Sequence, residues 1–186
     1  VEVAGTWFDV GFGAAALGPG ARVLFLECPP LFDRPGIYNE DGVDYGDNAV
    51  RFAALACAGA RIGWGEVSAF MPQVLHAHDW QAALVPAYLH YLGQGRRRPA
   101  SVLTLHNLAF QGVFARAAFT ELGLPAQAWG VQGVEFHGQL SFMKAGLKFA
   151  DRITTVSPTY AREIRTAEFG CGLDGVIRGR GTDVSG

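Results

Sequence analysis

The stretch from Gln73 to Gly112, QVLHAHDWQAALVPAYLHYLGQGRRRPASVLTLHNLAFQG, leaves this chain few folds to choose from. Gln73-Val74-Leu75-His76-Ala77 is short and apolar and follows Met71-Pro72, the pattern of a buried strand. Trp80, Leu84, Ala87, Tyr88 and Tyr91 recur at helical spacing, with Pro86 inside the pattern, so the helix is kinked or starts late. Gly93 to Pro99 interrupts it, and Ser101-Val102-Leu103-Thr104-Leu105 is again strand-like. Two neighbouring strands joined through a helix run parallel with a right-handed crossover. Their carboxyl ends then share one edge, where open parallel sheets bind ligands. His78 and Asp79 follow the first strand, and His106 and Asn107 follow the second. Arg96-Arg97-Arg98 falls at the opposite edge and reads as a solvated turn.

The rest of the chain extends this α/β pattern. Trp7 to Phe12 and Val23 to Glu27 read as strands joined by a turn or short loop. Gly11-Phe12-Gly13-Ala14-Ala15-Ala16 fits a dinucleotide-binding pattern, but Gly18-Pro19-Gly20 leaves no room for the helix that pattern needs. Residues 28 to 46 read as a Pro- and Gly-rich loop, with Tyr38 a candidate ligand contact. Asp47 is placed to cap a helix running from Asn48 through Ala56 and ending by Gly63 and Gly65. Residues 108 to 138 look irregular. Leu140, Met143, Leu147 and Ala150 then share a helical face, with Lys144 off that stripe. Ile153 to Val156 reads as a strand, followed by Ser157 as N-cap and Pro158 at the first helical position, a third polar residue at the same edge. Gly170 to Gly186 reads as an open loop.

With 186 residues and 49% hydrophobic content, one sizeable core is affordable. The charged share of 17% is below the roughly 25% usual for soluble proteins, which agrees with apolar surface belonging against a partner. A net charge of -2 gives no footprint for nucleic acid. No apolar run is long enough to span a membrane. Three scattered cysteines, Cys28, Cys57 and Cys171, form neither a disulfide framework nor a zinc spacing and read as reduced cytosolic thiols. The chain starts without Met and ends on Thr182-Asp183-Val184-Ser185-Gly186, so a fragment is expected.

Three chemistries compete for the polar edge. His76, His78 and Asp79 are ordinary metal ligands, though no complete metallohydrolase motif occurs. Ser157, His106 and Asp79 are the residue types of a hydrolase triad, though G-x-S-x-G is absent. A sugar- or nucleotide-handling site, with His and Asn donating to hydroxyls and a carboxylate accepting, outranks both modestly.

Longer motifs carry a resemblance. His76-Ala77-His78-Asp79-Trp80, Leu105-His106-Asn107-Leu108-Ala109-Phe110-Gln111-Gly112, Glu135-Phe136-His137-Gly138-Gln139, Lys144-Ala145-Gly146-Leu147 and Val156-Ser157-Pro158-Thr159-Tyr160-Ala161 resemble bacterial glycogen synthase and plant starch synthase, in order and over most of the chain. Asp33 to Tyr38, and Asp47-Asn48 with Arg51-Phe52, match the same family. The resemblance implies a retaining glucosyltransferase that moves glucose from ADP-glucose to the non-reducing end of an α-1,4-glucan. It implies a GT-B fold, two Rossmann-like parallel-sheet domains across a cleft, with residues 1 to 186 part of the first. The family's first strand, its Lys-x-Gly-Gly phosphate loop and its second domain have no counterpart in these residues, so the segment alone is expected to be inactive. His106 matches the histidine that contacts the transferred glucose, and Asp79 the cleft aspartate. Asn107 and Tyr38 are implied sugar contacts, while Glu135, Gln139, Lys144 and Ser157 are site or scaffold. The implied partners are the glucan, the nucleotide sugar and the second domain. No cofactor or metal is implied, and no D-x-D pair occurs. The location is the cytoplasm, or the plastid for a plant protein. The alternatives are a non-catalytic glucan-binding remnant and a metal-dependent hydrolase.

Overall fold

The computed structural model describes residues 1–3, 5–67 and 70–186. After a two-residue antiparallel pairing of Glu2–Val3 with Thr6–Trp7 comes a longer hairpin, β1 (Gly11–Gly18) with β2 (Ala21–Glu27). The long helix α1 (Asn48–Gly63) follows. The main unit is β3 (Val74–His78), two short helices α2 (Asp79–Ala82) and α3 (Val85–Tyr91), and β4 (Ala100–Leu105). Then come α4 (Phe142–Phe149), β5 (Arg152–Thr155), α5 (Pro158–Glu163), α6 (Asp174–Gly179) and β6 (Val184–Ser185). β3, β4, β5 and β6 form one parallel sheet in that spatial order. Thr104 of β4 pairs with His78 on one side and Thr154 on the other, so the three strands end level.

The parallel sheet is apolar where it is covered. Leu103, Leu105 and Ile153 are fully buried, each contributing about 1.5–3 kcal/mol by leaving water. α1 packs on α3, and α3 on α4. Small side chains permit the close approach of α1: Ala53, Ala54, Ala56 and Ala60 are all solvent-free. At the amino-end edge, Asp151 joins β4 to β5. Its Oδ2 accepts from the Ser101 backbone N–H at 2.7 Å and the Ser101 hydroxyl at 2.9 Å, and its Oδ1 from Arg98 at 2.9 Å. Burial alone would raise this carboxyl's pKa, but these bonds outweigh it and hold the value down.

Several expectations change. Trp7 to Phe12 is not one strand: Trp7 pairs with Glu2, and the partner of Val23 to Glu27 is the later Gly11–Gly18, with Pro19-Gly20 closing a hairpin in which Gly11 faces Glu27. Gly11 and Gly13 lie within β1, so the glycine pattern opens no phosphate-binding helix. Residues 28 to 46 are not a plain loop: Pro29–Phe32 is a helical turn, and Asn39–Glu40 pairs with Val43–Asp44. Asp47 precedes α1 but its side chain caps nothing, because Arg34 holds both carboxylate oxygens. Pro86 splits its helix into α2 and α3. α4 starts at Phe142, not Leu140, since Gln139–Ser141 is a strand pairing with Glu135–Phe136 and Val113–Phe114. Lys144 is inside, 4% exposed, rather than on the surface, because the first turns of α4 are covered on every side, residues 142–147 all being buried. Gly170 to Gly186 is no open loop, because Leu173, Ile177 and Val184 are buried and β6 joins the sheet. Among the described residues no helix is long and apolar enough to cross a membrane.

Candidate functional site

The polar residues assemble at the carboxyl edge of the sheet. β3 runs out at His78, and Asp79 turns the chain into α2 with a left-handed φ of 55°. Asp accepts that conformation better than most residues, and here its carboxylate is used locally. Asp79 Oδ1 accepts the His106 backbone N–H at 2.8 Å, tying the ends of β3 and β4 together. Oδ2 takes no hydrogen bond among the described residues. The His106 ring meets His78, with Nε2 3.1 Å from Nδ1. His78 stacks on His76 at 4.3 Å between ring centroids. His76 Nε2 bonds Thr104 Oγ1 at 2.6 Å, and Thr104 bonds Thr154 at the same distance. Burial, then the neighbouring rings of His78 and His106, push the His76 pKa below its ordinary value.

Beside this row lies a cleft of about 650 Å³, lined among others by Tyr38, Asp79, Trp80, Gln81, Asn107 and Gln111. Trp80 is its fixed aromatic wall, meeting Phe52 edge-on at 4.7 Å and Tyr38 at 5.9 Å. Gly112 presses against the Trp80 ring from the next loop: a Cβ there would lie 2.3 Å from Trp80 Cε3. Tyr38 reaches the cleft from the 28–46 segment because a buried arginine anchors that segment. Arg51 donates to the Leu31 carbonyl at 2.6 Å and the Ile37 carbonyl at 2.8 Å, and Asn48 donates to the Tyr38 carbonyl at 2.9 Å. The Tyr38 hydroxyl accepts from Gln81. Asn107 Oδ1 accepts from the Ala109 N–H at 3.0 Å, which leaves its amide group to donate.

Of the residues singled out from sequence, Tyr38, Asp79 and Asn107 thus share the cleft. His106 is joined to Asp79 but stands beside the cleft rather than in its wall. Glu135, Gln139 and Lys144 gather elsewhere, in the Glu135–Phe136 and Gln139–Ser141 hairpin and the start of α4. Glu135 Oε1 accepts the Gly138 N–H at 2.7 Å, and its backbone carbonyl accepts from Lys144 Nζ. Burial lowers the Lys144 pKa. Ser157 caps α5, its hydroxyl accepting the Tyr160 N–H at 3.1 Å.

These bonds decide between the competing chemistries. Asp79 holds the backbone of His106 and not its ring, while Ser157 Oγ is engaged with α5, so no Ser-His-Asp relay is assembled. His76 is bound to Thr104, and among the described residues no three His, Cys, Asp or Glu side chains have metal-holding geometry. The cleft combines an aromatic wall, a carboxylate and amide groups, the equipment for gripping hydroxyl-rich ligands. Trp80, Gln81 and Gln111 were not picked out as contacts by sequence reasoning. Trp80 carries two sequence signals, a helix stripe and the His76-Ala77-His78-Asp79-Trp80 motif, and neither distinguishes a ring that lines a cleft from one that fills a core.

Comparisons with known proteins identify the family and the fold. The model of the starch synthase catalytic domain matches residues 1–179. Glycogen synthase 2 of Bradyrhizobium diazoefficiens is 51% identical over 186 residues, covering 97% of this chain and 38% of the relative. Glycogen synthase of Acidiphilium cryptum is 54% identical over 184 residues, covering 96% and 38%. The catalytic domain of starch synthase IV from Arabidopsis thaliana, solved bound to ADP and acarbose, superposes with a TM-score of 0.85 at 26% identity, over all of this chain and 38% of that one. The chain therefore spans little more than a third of the length of the relatives it matches. Family match and fold agree, and the chain belongs to the starch synthase catalytic domain family.

Proposed function

We propose that this chain is the carboxyl-terminal part of the first Rossmann-like domain of a two-domain GT-B glycogen synthase. The whole enzyme moves glucose from ADP-glucose to the non-reducing end of an α-1,4-glucan, with retention and without metal or other cofactor, in the bacterial cytoplasm. The relatives named as glycogen synthases support the activity, and the neighbour solved with ADP supports the donor. The observation that carries the reading is the cleft, where Tyr38, Trp80, Asp79 and Asn107 meet at the sheet's carboxyl edge beside His106.

Each group has a role that follows from its bonds. The Trp80 and Tyr38 rings offer faces on which a sugar stacks. Asn107 and Gln111 donate to ring hydroxyls. Asp79, with Oδ2 unclaimed among the described residues, orients an acceptor hydroxyl or offsets positive charge at the anomeric carbon. His106 contacts the transferred glucose. Holding donor and acceptor together supplies on the order of 7–11 kcal/mol of the rate, so the second domain is needed for turnover.

The test is His106→Ala in the full-length synthase. Glucosyl transfer should fall by orders of magnitude while ADP affinity, measured by calorimetry, changes little. Equal loss of nucleotide affinity and turnover would place His106 in donor binding and overturn its role as a sugar contact.

A further inference from the structure

Two consecutive residues hold both ends of His106. Asp79 takes its backbone N–H, and His78 faces its ring at 3.1 Å between Nδ1 and Nε2, the ring planes inclined by 40°. Two imidazole nitrogens at this distance must share one proton: one donates and the other accepts. The His78 ring is itself confined. It stacks on His76, whose Nε2 is tied through Thr104 to Thr154 across three adjacent strands. This row reaches His106 from β3, β4 and β5, and its titratable members are His76, His78 and His106, with the Asp79 carboxylate alongside. The lowered pKa of His76 favours a neutral ring at the base of the row.

We propose that His78 is a positioning residue for His106: its Nδ1–H donates to His106 Nε2, so that neutral His106 carries its own proton on Nδ1 and presents it to the glucosyl group as a fixed donor. The proposal rests on reading His106 as the sugar contact. An unheld imidazole divides its proton between two nitrogens and its ring between several rotamers. Only one of those states points a donor at the substrate, and hydrogen bonding at one nitrogen selects which tautomer the other shows.

The experiment uses the full-length synthase. His78→Ala should lower kcat about tenfold, the worth of one hydrogen bond to an aligned group, and leave the KM for ADP-glucose unchanged. His78→Asn should recover most of that loss, because its amide nitrogen stands where Nδ1 stood. In a His106→Ala background, His78→Ala should cost nothing further. Unchanged kcat in His78→Ala, an Asn variant as poor as Ala, or fully additive losses in the double variant would each overturn the proposal. A measurement on the unmutated enzyme covers the case in which His78→Ala fails to fold. Nitrogen-15 histidine spectra should show His106 protonated on Nδ1, and a proton on Nε2 alone refutes the assignment. If His106→Ala leaves turnover intact, the sugar-contact reading falls instead, and the His106 tautomer still decides whether His78 orients it.

Discussion

Gly112→Ala tests the packing that shapes the cleft. Gly112 has φ 57°, and an added Cβ would lie 2.3, 2.9 and 3.2 Å from three ring atoms of Trp80. Two costs arise. A left-handed L-residue costs about 1–2 kcal/mol wherever it occurs. The collision adds about 1–3 kcal/mol, because Trp80 is a rigid ring hemmed by Phe52, Phe114 and Phe142. Gly138 separates the two. Its φ is 78°, and a Cβ there meets nothing within 4 Å. Gly138→Ala should therefore cost about 1–2 kcal/mol, and Gly112→Ala about 2–5 kcal/mol. Only Gly112→Ala should weaken glucan affinity, since only it displaces a cleft wall. Urea unfolding followed by tryptophan fluorescence in the full-length protein, with glucan binding by affinity electrophoresis, measures both. Equal destabilisation by the two variants would refute the steric argument. Normal glucan affinity in Gly112→Ala would refute the assignment of Trp80 to the binding surface.

Three further outcomes are expected. Asp79→Asn should change stability by less than about 0.5 kcal/mol, because the amide oxygen still accepts from His106 and Asn tolerates a positive φ, yet turnover should drop with the lost charge; near-normal rates would reduce Asp79 to a clamp between strand ends. Asp151→Ala should cost about 1–3 kcal/mol at neutral pH by stranding the buried Ser101 N–H. Since the folded pKa of Asp151 is depressed, its contribution is present above the ordinary carboxylate value and lost as pH falls through the lower folded one. The gap between wild type and variant should thus narrow below about pH 4, where the protonated carboxyl still accepts from Ser101 but loses its charge, and a gap independent of pH contradicts the assignment. Residues 1 to 186 expressed alone should incorporate no glucose and should associate on size-exclusion chromatography, because the outer side of β3 pairs with no strand among the described residues and Phe70, Met71 and Val74 beside it are exposed; an active, monodisperse segment overturns both halves.

The sheet and its polar edge were legible because their signals are local. An apolar run after Pro72, a proline at the third helix turn and a Ser-Pro pair each act within a few residues. What escaped depends on distant partners. Asp47 looks like a cap until Arg34, thirteen residues back, claims its carboxylate. Lys144 does lie off the apolar stripe, but residues 142–147 are all buried, so the first turns of α4 have no solvent face for it to occupy. In the last segment, six glycines after Phe169 hid Leu173 and Ile177, whose four-residue spacing marks the buried side of α6. At the site, Asp79 and Asn107 were found by their place after strands. The cleft wall came from Trp80 and Gly112, whose fit across the sheet edge no pattern within one segment announces.

The spatial order of the parallel sheet, β3, β4, β5, β6, is also its order in the chain. Among the described residues no strand is inserted between two already paired, so each addition needs only a free outer edge. A nascent chain emerging amino end first meets that condition at every step. β4 can dock on β3 once β4 itself has cleared the exit tunnel, and β5 and β6 then extend the same side. The joining of β3 to β4 by Asp79 and His106 needs no residue of β5. The order thus allows one-directional assembly, with the candidate site at the ends of the first two of these strands and the later ones laid down beyond it.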